Sequence, residues 1–217
     1  MASRLTVTFD NGPTPDVTDR VLDILGARGV RSTFFAVGLQ LRDPARRALA
    51  ERAVAEGHWI GNHTWTHSVQ LGQTTDSHAP ETEVGATQQL IGALAHPDRW
   101  FRPYGAGGLL SQDLLSVAAV DYLRRGGYSC VLWSSVPRDW DPTVDWVERC
   151  LSDARTQDWP LVVLHDLPGC ALARLPELLD RLDDMGIGHA QEFPDACVPI
   201  RRGIVRAPLD HLVQPDR

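Results

Sequence analysis

The chain has 217 residues, 43% hydrophobic and 23% charged, with a formal charge of -7, the composition of an ordinary globular domain. That length supports one large core, and nothing in it reads as a linker, so a single domain over residues 1–217 is expected. The negative balance argues against nucleic acid or an acidic membrane surface as partner, since both select a basic patch.

No segment approaches the roughly 18–20 apolar residues of a spanning helix. The first β-run starts close to Met1 with no basic, then apolar, leader, which predicts a cytoplasmic protein. Cys130, Cys150, Cys170 and Cys197 are far apart and lack C-x-x-C spacing, so buried reduced thiols are expected rather than a zinc ribbon.

Strand-like and helix-like stretches alternate along the chain. Leu5–Phe9 reads as a strand, and Thr14–Arg28 as a helix with Pro15 and Asp16 in its first turn. Ser32–Val37 is the second strand. Asp43–Glu56 is the second helix, capped by Asp43 with Pro44 at its first position. His58–Gly61 is a short strand, followed by the polar stretch Gln70–Pro80 and a helix from Glu81 to about Ala95. Trp100–Arg102 is a strand that runs into the loop Pro103–Gly108. Then come a helix over Gln112–Arg125, a strand over Ser129–Trp133 and the loop Val136–Pro142. Val144–Arg155 is helical, Leu161–Leu164 is a buried strand, and Leu175–Met185 is the last clear helix. The tail Phe193–Val213 reads as irregular, with a short strand at Ile204-Val205. Repeated strand–helix units predict an α/β fold with a parallel sheet, closed into a barrel rather than open.

Polar residues collect at the predicted strand ends. Asp10 and Asn11 follow the first strand, His63 and His67 the third, Arg102 and Tyr104 the fourth, Asp139-Trp140 the fifth, and His165 the sixth. A barrel enzyme assembles its site in this way from pieces distant in sequence. His63-Thr64-Trp65-Thr66-His67 is an H-x-x-x-H; if helical, it places two imidazoles on one face about 5–6 Å apart at their β-carbons. Taken alone, such a pair is more readily two structural histidines that cap and satisfy nearby backbone. Asp10-Asn11 on the first strand is what raises it to a metal-site candidate.

These residues resemble the polysaccharide deacetylase family (NodB-homology, carbohydrate esterase family 4). The family's T-F-D-D-G-P motif is similar to Thr8-Phe9-Asp10-Asn11-Gly12-Pro13, and its H-[ST]-x-x-H to His63–His67. Its R-x-x-[YF]-G loop is matched loosely by Arg102-Pro103-Tyr104-Gly105. The second half of D-x-x-D-W is matched by Asp139-Trp140, and L-x-H by Val163-Leu164-His165. The five occur in order between residues 8 and 165, a far more specific signal than any one of them.

The resemblance implies a distorted (β/α) barrel of about seven strands that hydrolyses an N-acetyl amide of an oligosaccharide or a small molecule. It implies Asp10 as general base, with Arg102 pairing with it and lowering its pKa. His165 becomes the general acid, kept charged by Asp139, and the Tyr104-Gly105 turn supplies an oxyanion donor. Trp140 walls the site, and His63 and His67 hold a divalent metal, by expectation zinc. Amide hydrolysis needs those parts: an activated water, a stabilised oxyanion and a proton for a poor leaving amine.

Three departures accompany the match. Asn11 stands where the family has a ligand aspartate, and a neutral amide oxygen binds metal more weakly than a carboxylate. Val136 replaces the first acid of the fourth motif, and the third loop is one residue short between Arg102 and Gly105. Two chemistries therefore stay open: metal-assisted deacetylation with Asn11 as third ligand, or a metal-poor amidase of the kind that opens small cyclic amides such as allantoin. A sugar-binding relative without turnover is the third reading.

Other features carry bland expectations. Trp100 and Trp133 are assigned to the core. His58, His78, His96, His189 and His211 are expected to be surface or satisfied residues, and Asp180–Asp184 a solvated helix face. Asp166, beside His165, is a candidate to support that residue, though Leu167-Pro168 after it suggests a simple turn.

Overall fold

The computed structural model describes residues 4–215. Its first strand, β1 (Arg4–Asp10), is buried from Leu5 onward. Leu5, Val7 and Phe9 pack into the core beneath the helices, so the two-residue period turns Thr6, Thr8 and Asp10 to the other face. The threonines there are satisfied: Thr6 donates to the Glu192 carbonyl at 2.7 Å and Thr8 to the Val162 carbonyl at 2.8 Å. Alternation on this strand thus separates an apolar core from a hydrogen-bonded interior, not core from solvent.

The remaining strands in chain order begin with β2 (Thr33–Ala36), β3 (Trp59–Asn62), β4 (Trp100–Phe101), β5 (Leu115–Ser116) and β6 (Ser129–Cys130). They continue with β7 (Leu161–His165), β8 (Gly188–Ala190), β9 (Ile200–Arg201), β10 (Ile204–Val205) and β11 (Val213–Gln214). The main sheet runs β10-β9-β6-β4-β3-β2-β1-β7, with β8 also on β1, while β11 and β5 form a separate pair. Pairings from β6 through to β7 are parallel, and those of β9 with β6 and with β10 are antiparallel.

The α/β reading stands, and the sheet is that of a distorted barrel rather than a closed one. Among the described residues the ladder is open between β6 and β7. Those two sides meet through one isolated bridge, Ser135 to Val162, with the Val163 N–H donating to the Ser135 carbonyl at 3.0 Å. β6 is too short to close the gap because the chain leaves it at once. The Leu132 N–H donates to the Cys197 carbonyl, and β9 occupies the edge that a parallel closing strand would need.

Helices α1 (Thr18–Ala27), α2 (Pro44–Ala55), α3 (Ala86–Ile91), α4 (Val117–Arg125), α5 (Trp146–Thr156) and α6 (Leu175–Asp184) cover the outer face. Their apolar stripes, such as Leu175, Leu178, Leu179 and Leu182 of α6, pack against Leu5, Val7, Phe9, Val162 and Leu164. α2 begins as expected, the Asp43 carboxylate accepting from the Ala45 N–H at 2.8 Å with Pro44 at the first position. α1 starts later than expected. Asp16 takes φ +64 and cannot lie in a helix, and the Thr18 hydroxyl is engaged by the Thr14 N–H at 2.7 Å.

The long helix expected from Glu81 breaks into a π-helical turn (Glu81–Gly85), α3 and a 3-10 turn (Gly92–Leu94). The one expected over Gln112–Arg125 starts only at Val117, where Ser116 caps it through the Ala119 N–H. The short strands β5, β8, β9 and β11 were not anticipated. At two or three residues each they have no periodicity to read. Among the described residues no helix is long and apolar enough to cross a membrane, and all four cysteines are free and buried.

Candidate active site

Asp10 ends β1 and His165 ends β7, and the parallel register sets the two directly beside each other. The Arg102 carbonyl end of β4 and the His63 end of β3 are joined in the same way: the Arg102 N–H donates to the Asn62 carbonyl at 2.9 Å. Residues far apart in sequence therefore meet at the C-terminal ends of four strands. They line a cleft of about 200 Å³ that includes Asp10, Asn11, His63, His67, Trp140 and His165. Tyr104 and Gly105 also line it, as do Trp133, Val136 and Val163. All ten residues named from the sequence are in or against this cleft.

Asp10 is 3% exposed and Arg102 is fully buried. An Arg102 terminal nitrogen (Nη1) lies 2.7 Å from Asp10 Oδ1 and donates as well to the Thr8 hydroxyl at 2.7 Å. Its other nitrogens donate to the Val131 and Leu132 carbonyls, and the guanidinium lies over the Phe35 ring at 4.0 Å. Burial pushes the guanidinium down from its usual range, against the pull of the Asp10 charge. A buried charge pair of this kind persists because four of the five guanidinium N–H donors are used. It leaves Asp10 Oδ2 facing the cleft, 3.6 Å from His63 Nε2.

His63 Nδ1 lies 2.9 Å from the Arg102 carbonyl. A carbonyl only accepts, so Nδ1 carries the proton and Nε2 offers its lone pair to the cleft. Burial pushes His63 down, and it pushes His67 down to about 3, helped by His63. Both rings are neutral near pH 7, with centroids 4.8 Å apart, and the Tyr104 ring stands 4.3 Å from His67. The segment that carries them is not helical. Thr64 and His67 adopt φ +65 and +54, so an irregular turn brings the imidazoles together where a helix was expected to.

Asn11 is also left-handed, at φ +78, a conformation that asparagine tolerates better than most residues. Its buried Oδ1 has no hydrogen-bond partner among the described residues. An orphaned buried acceptor costs about 1–3 kcal/mol, so this oxygen is placed for a ligand. Two neutral imidazoles and one amide oxygen fit a divalent ion. Among the described residues no three His, Cys, Asp or Glu side chains converge to hold one, and a carboxamide falls outside those four residue types.

Across the cleft, His165 Nδ1 lies 2.7 Å from Asp139 Oδ1. The second Asp139 oxygen accepts the backbone N–H groups of His165 at 2.8 Å and Ala171 at 3.1 Å. Burial works against a charged His165, but the hydrogen bond and charge of Asp139 outweigh it and the pKa is raised. Trp140 stands edge-on to the His165 ring at 4.9 Å and is 37% exposed, a wall open to solvent on its far side. Trp133 is buried as expected, but it also donates from Nε1 to the Gly108 carbonyl at 2.8 Å and so pins the shortened loop. A Cβ on Gly105 would sit 2.7 Å from the Trp133 ring, and one on Gly108 would sit 2.8 Å from Val136. Val136, in place of an acid, thus packs against the loop.

Glu83 had no place in the sequence reading of the site, and Asp166 entered it only as a candidate supporting group beside His165. Glu83 holds the His63–His67 segment by its backbone. Asp166 is not part of a simple turn: it is 1% exposed, accepts the Thr18 hydroxyl at 2.5 Å, and lies against Gly12. Burial pushes Asp166 up to about 6. Its folded value exceeds the unfolded one, so stability is lost as pH rises from about 4 through 6. An Asp166→Asn variant should gain relative to the native chain across that window, by on the order of 3 kcal/mol. Urea titrations at pH 4 and pH 7 check this, and an unchanged difference between the two pH values refutes it.

Comparisons with known proteins agree with this geometry. The family profile for polysaccharide deacetylase matches residues 2–123, more than half of the chain. Over 169 residues the chain is 38% identical to a chitooligosaccharide deacetylase of Rhizobium leguminosarum bv. trifolii, covering 76% of this chain and 71% of that protein. It is 32% identical over 167 residues to a peptidoglycan-N-acetylglucosamine deacetylase of Bacillus cereus, covering 75% and 72%. A solved structure of a T48 deacetylase with substrate is similar at a TM-score of 0.71 and 28% identity, with 88% of both chains covered. The chain belongs to the polysaccharide deacetylase family, the NodB-homology group of carbohydrate esterase family 4, and is a hydrolase of carbon–nitrogen bonds.

Proposed function

We propose that this enzyme removes the acetyl group from an N-acetylated sugar unit of an oligosaccharide. One observation carries the reading: a buried Asp10–Arg102 pair at 2.7 Å stands in register beside a His165–Asp139 pair at 2.7 Å. This arrangement supports Asp10 as base and His165 as acid, side by side in one small cleft. The substrates for which the relatives are named, chitooligosaccharide and peptidoglycan N-acetylglucosamine, suit the aromatic walls Trp140 and Tyr104, which can stack on sugar faces.

In the proposed reaction Asp10 Oδ2 takes a proton from water, whose oxygen attacks the amide carbonyl. Arg102 holds the carboxylate in place through Oδ1. The Tyr104-Gly105 turn is our assignment for the oxyanion donor. His165 then gives its proton to the amine nitrogen as the carbon–nitrogen bond breaks, and acetate and a free amine leave. Asp139 keeps that imidazole charged and oriented for the transfer.

Zinc is our proposal for the divalent ion, held by His63, His67 and Asn11. When bound it polarises the carbonyl oxygen and lowers the pKa of water. The amide third donor favours a second reading, in which His63 and His67 contact the substrate directly and a small amide is opened without metal. Metal content after purification without added metal separates the two. Asn11→Asp should raise zinc affinity by at least tenfold by calorimetry, because a carboxylate adds a full charge at that position. Chelator-resistant turnover in a metal-free native chain would overturn the zinc assignment.

A further inference from the structure

Glu83 lies behind the cleft and has no part in the reaction above, yet its side chain is 5% exposed. Oε2 accepts the backbone N–H groups of Trp65 at 2.8 Å and Thr66 at 2.9 Å, and Oε1 accepts the Thr66 hydroxyl at 2.8 Å. No cation pairs with it among the described residues. A buried carboxylate without a counter-ion costs several kcal/mol unless hydrogen-bond donors compensate. Here all of the compensation comes from the segment between His63 and His67, so the carboxylate and the shape of that segment depend on each other.

The segment needs such a constraint. Thr64 is β-branched and lies at φ +65, and His67 lies at φ +54, conformations that cost about 1–3 kcal/mol each and persist only when the surroundings over-determine them. The other supports are neutral. The Thr64 N–H donates to Asn62 Oδ1 at 3.1 Å, and the His67 N–H to the Thr64 hydroxyl at 3.2 Å. On the opposite side, the Gly38 and Leu39 N–H groups donate to the Thr64 and Trp65 carbonyls.

Glu83 sits in the π-helical turn Glu81–Gly85, and the neighbouring Val84 carbonyl accepts from Asn62 Nδ2 at 2.8 Å. One turn therefore grips the segment at two points, before His63 through Asn62 and between the histidines through Glu83. A π-turn changes the direction of successive side chains relative to an α-helix, which accounts for a carboxylate and a carbonyl from adjacent residues facing the same segment.

We propose that Glu83 is a positioning residue: its carboxylate holds the His63–His67 segment in a left-handed turn and so sets the His67 ring against His63 and the substrate. The proposal rests on the deacetylase reading of this cleft. It is tested in the full chain with Glu83→Ala and Glu83→Gln, by kcat and KM on an N-acetylated chitooligosaccharide, thermal unfolding, and nitrogen-15 spectra of the histidine rings. Glu83→Ala should lower kcat about 10–100-fold, as loss of an outer partner of a site ligand does, with KM little changed. The His67 ring signals should move while those of His165 stay. Glu83→Gln keeps an acceptor for the two N–H groups and should recover most of the loss. An alanine variant with native kcat and native His67 signals overturns the proposal. So does a loss of turnover in both variants that only tracks the unfolded fraction. If the native chain turns over no acetylated sugar, the functional reading fails, and the ring spectra alone decide the role of Glu83.

Discussion

Replacing Asp10 by alanine should abolish measurable deacetylation and destabilise the fold in one step. Loss of a general base costs about 10²–10⁴ in rate. Removing the carboxylate also strands the Arg102 guanidinium, which is fully buried and has Asp10 as its ionic partner at 2.7 Å. Breaking a buried pair from one side costs about 3–5 kcal/mol, because the remaining charge is left uncompensated. Asp10→Asn separates the two effects. Its amide oxygen still accepts from Arg102, so most of the stability should return while turnover does not. Urea unfolding of both variants beside single-turnover assays checks this. An Asn variant that retains even a tenth of native kcat would remove Asp10 from the role of base.

The second large effect falls on His165. Alanine there should lower kcat by about 10²–10⁴, the range for a missing general acid. Asp139→Asn tests the reason. An acid must be protonated to act, so activity is lost as pH rises through the His165 pKa, and Asp139 raises that pKa against the effect of burial. With the carboxylate gone, burial dominates and the pKa falls. The alkaline limb of kcat should therefore move to lower pH, with a greater loss at pH 8 than at pH 6. Asp139 Oδ2 also holds the His165 and Ala171 N–H groups, and asparagine can keep those with its oxygen. A pH profile of unchanged shape would show that Asp139 only orients the ring.

Much of the site was legible because its chemistry sits at the ends of regular strands. Alternation along Leu5–Asp10 and the apolar run Leu161–Leu164 mark β1 and β7, and strand ends in such folds project their next side chains into one cleft. Asp10, Arg102, Asp139 and His165 could be named because acids, a guanidinium and an imidazole at such places have few structural uses. The backbone under His63–His67 was not legible. H-x-x-x-H has helical spacing, and the left-handed turns at Thr64 and His67 are imposed by Glu83, Asn62 and Gly38, from three other parts of the chain. The burial of Asp166 was not legible for a similar reason, since it comes from Thr18 and the backbone of Gly12.

The sequence by itself determined the α/β class, the order of the main elements, and the identity of the residues that gather at the cleft. Those follow from local periodicity and residue type, which nearby positions express without reference to the rest of the chain. Only the tertiary structure decided that the sheet stays open beside β7, that Asn11 presents an unpartnered oxygen to the cleft, and that Glu83 and Asp166 are buried. Each of these depends on which distant group arrives to satisfy a buried polar atom, and that is settled by packing rather than by spacing along the chain.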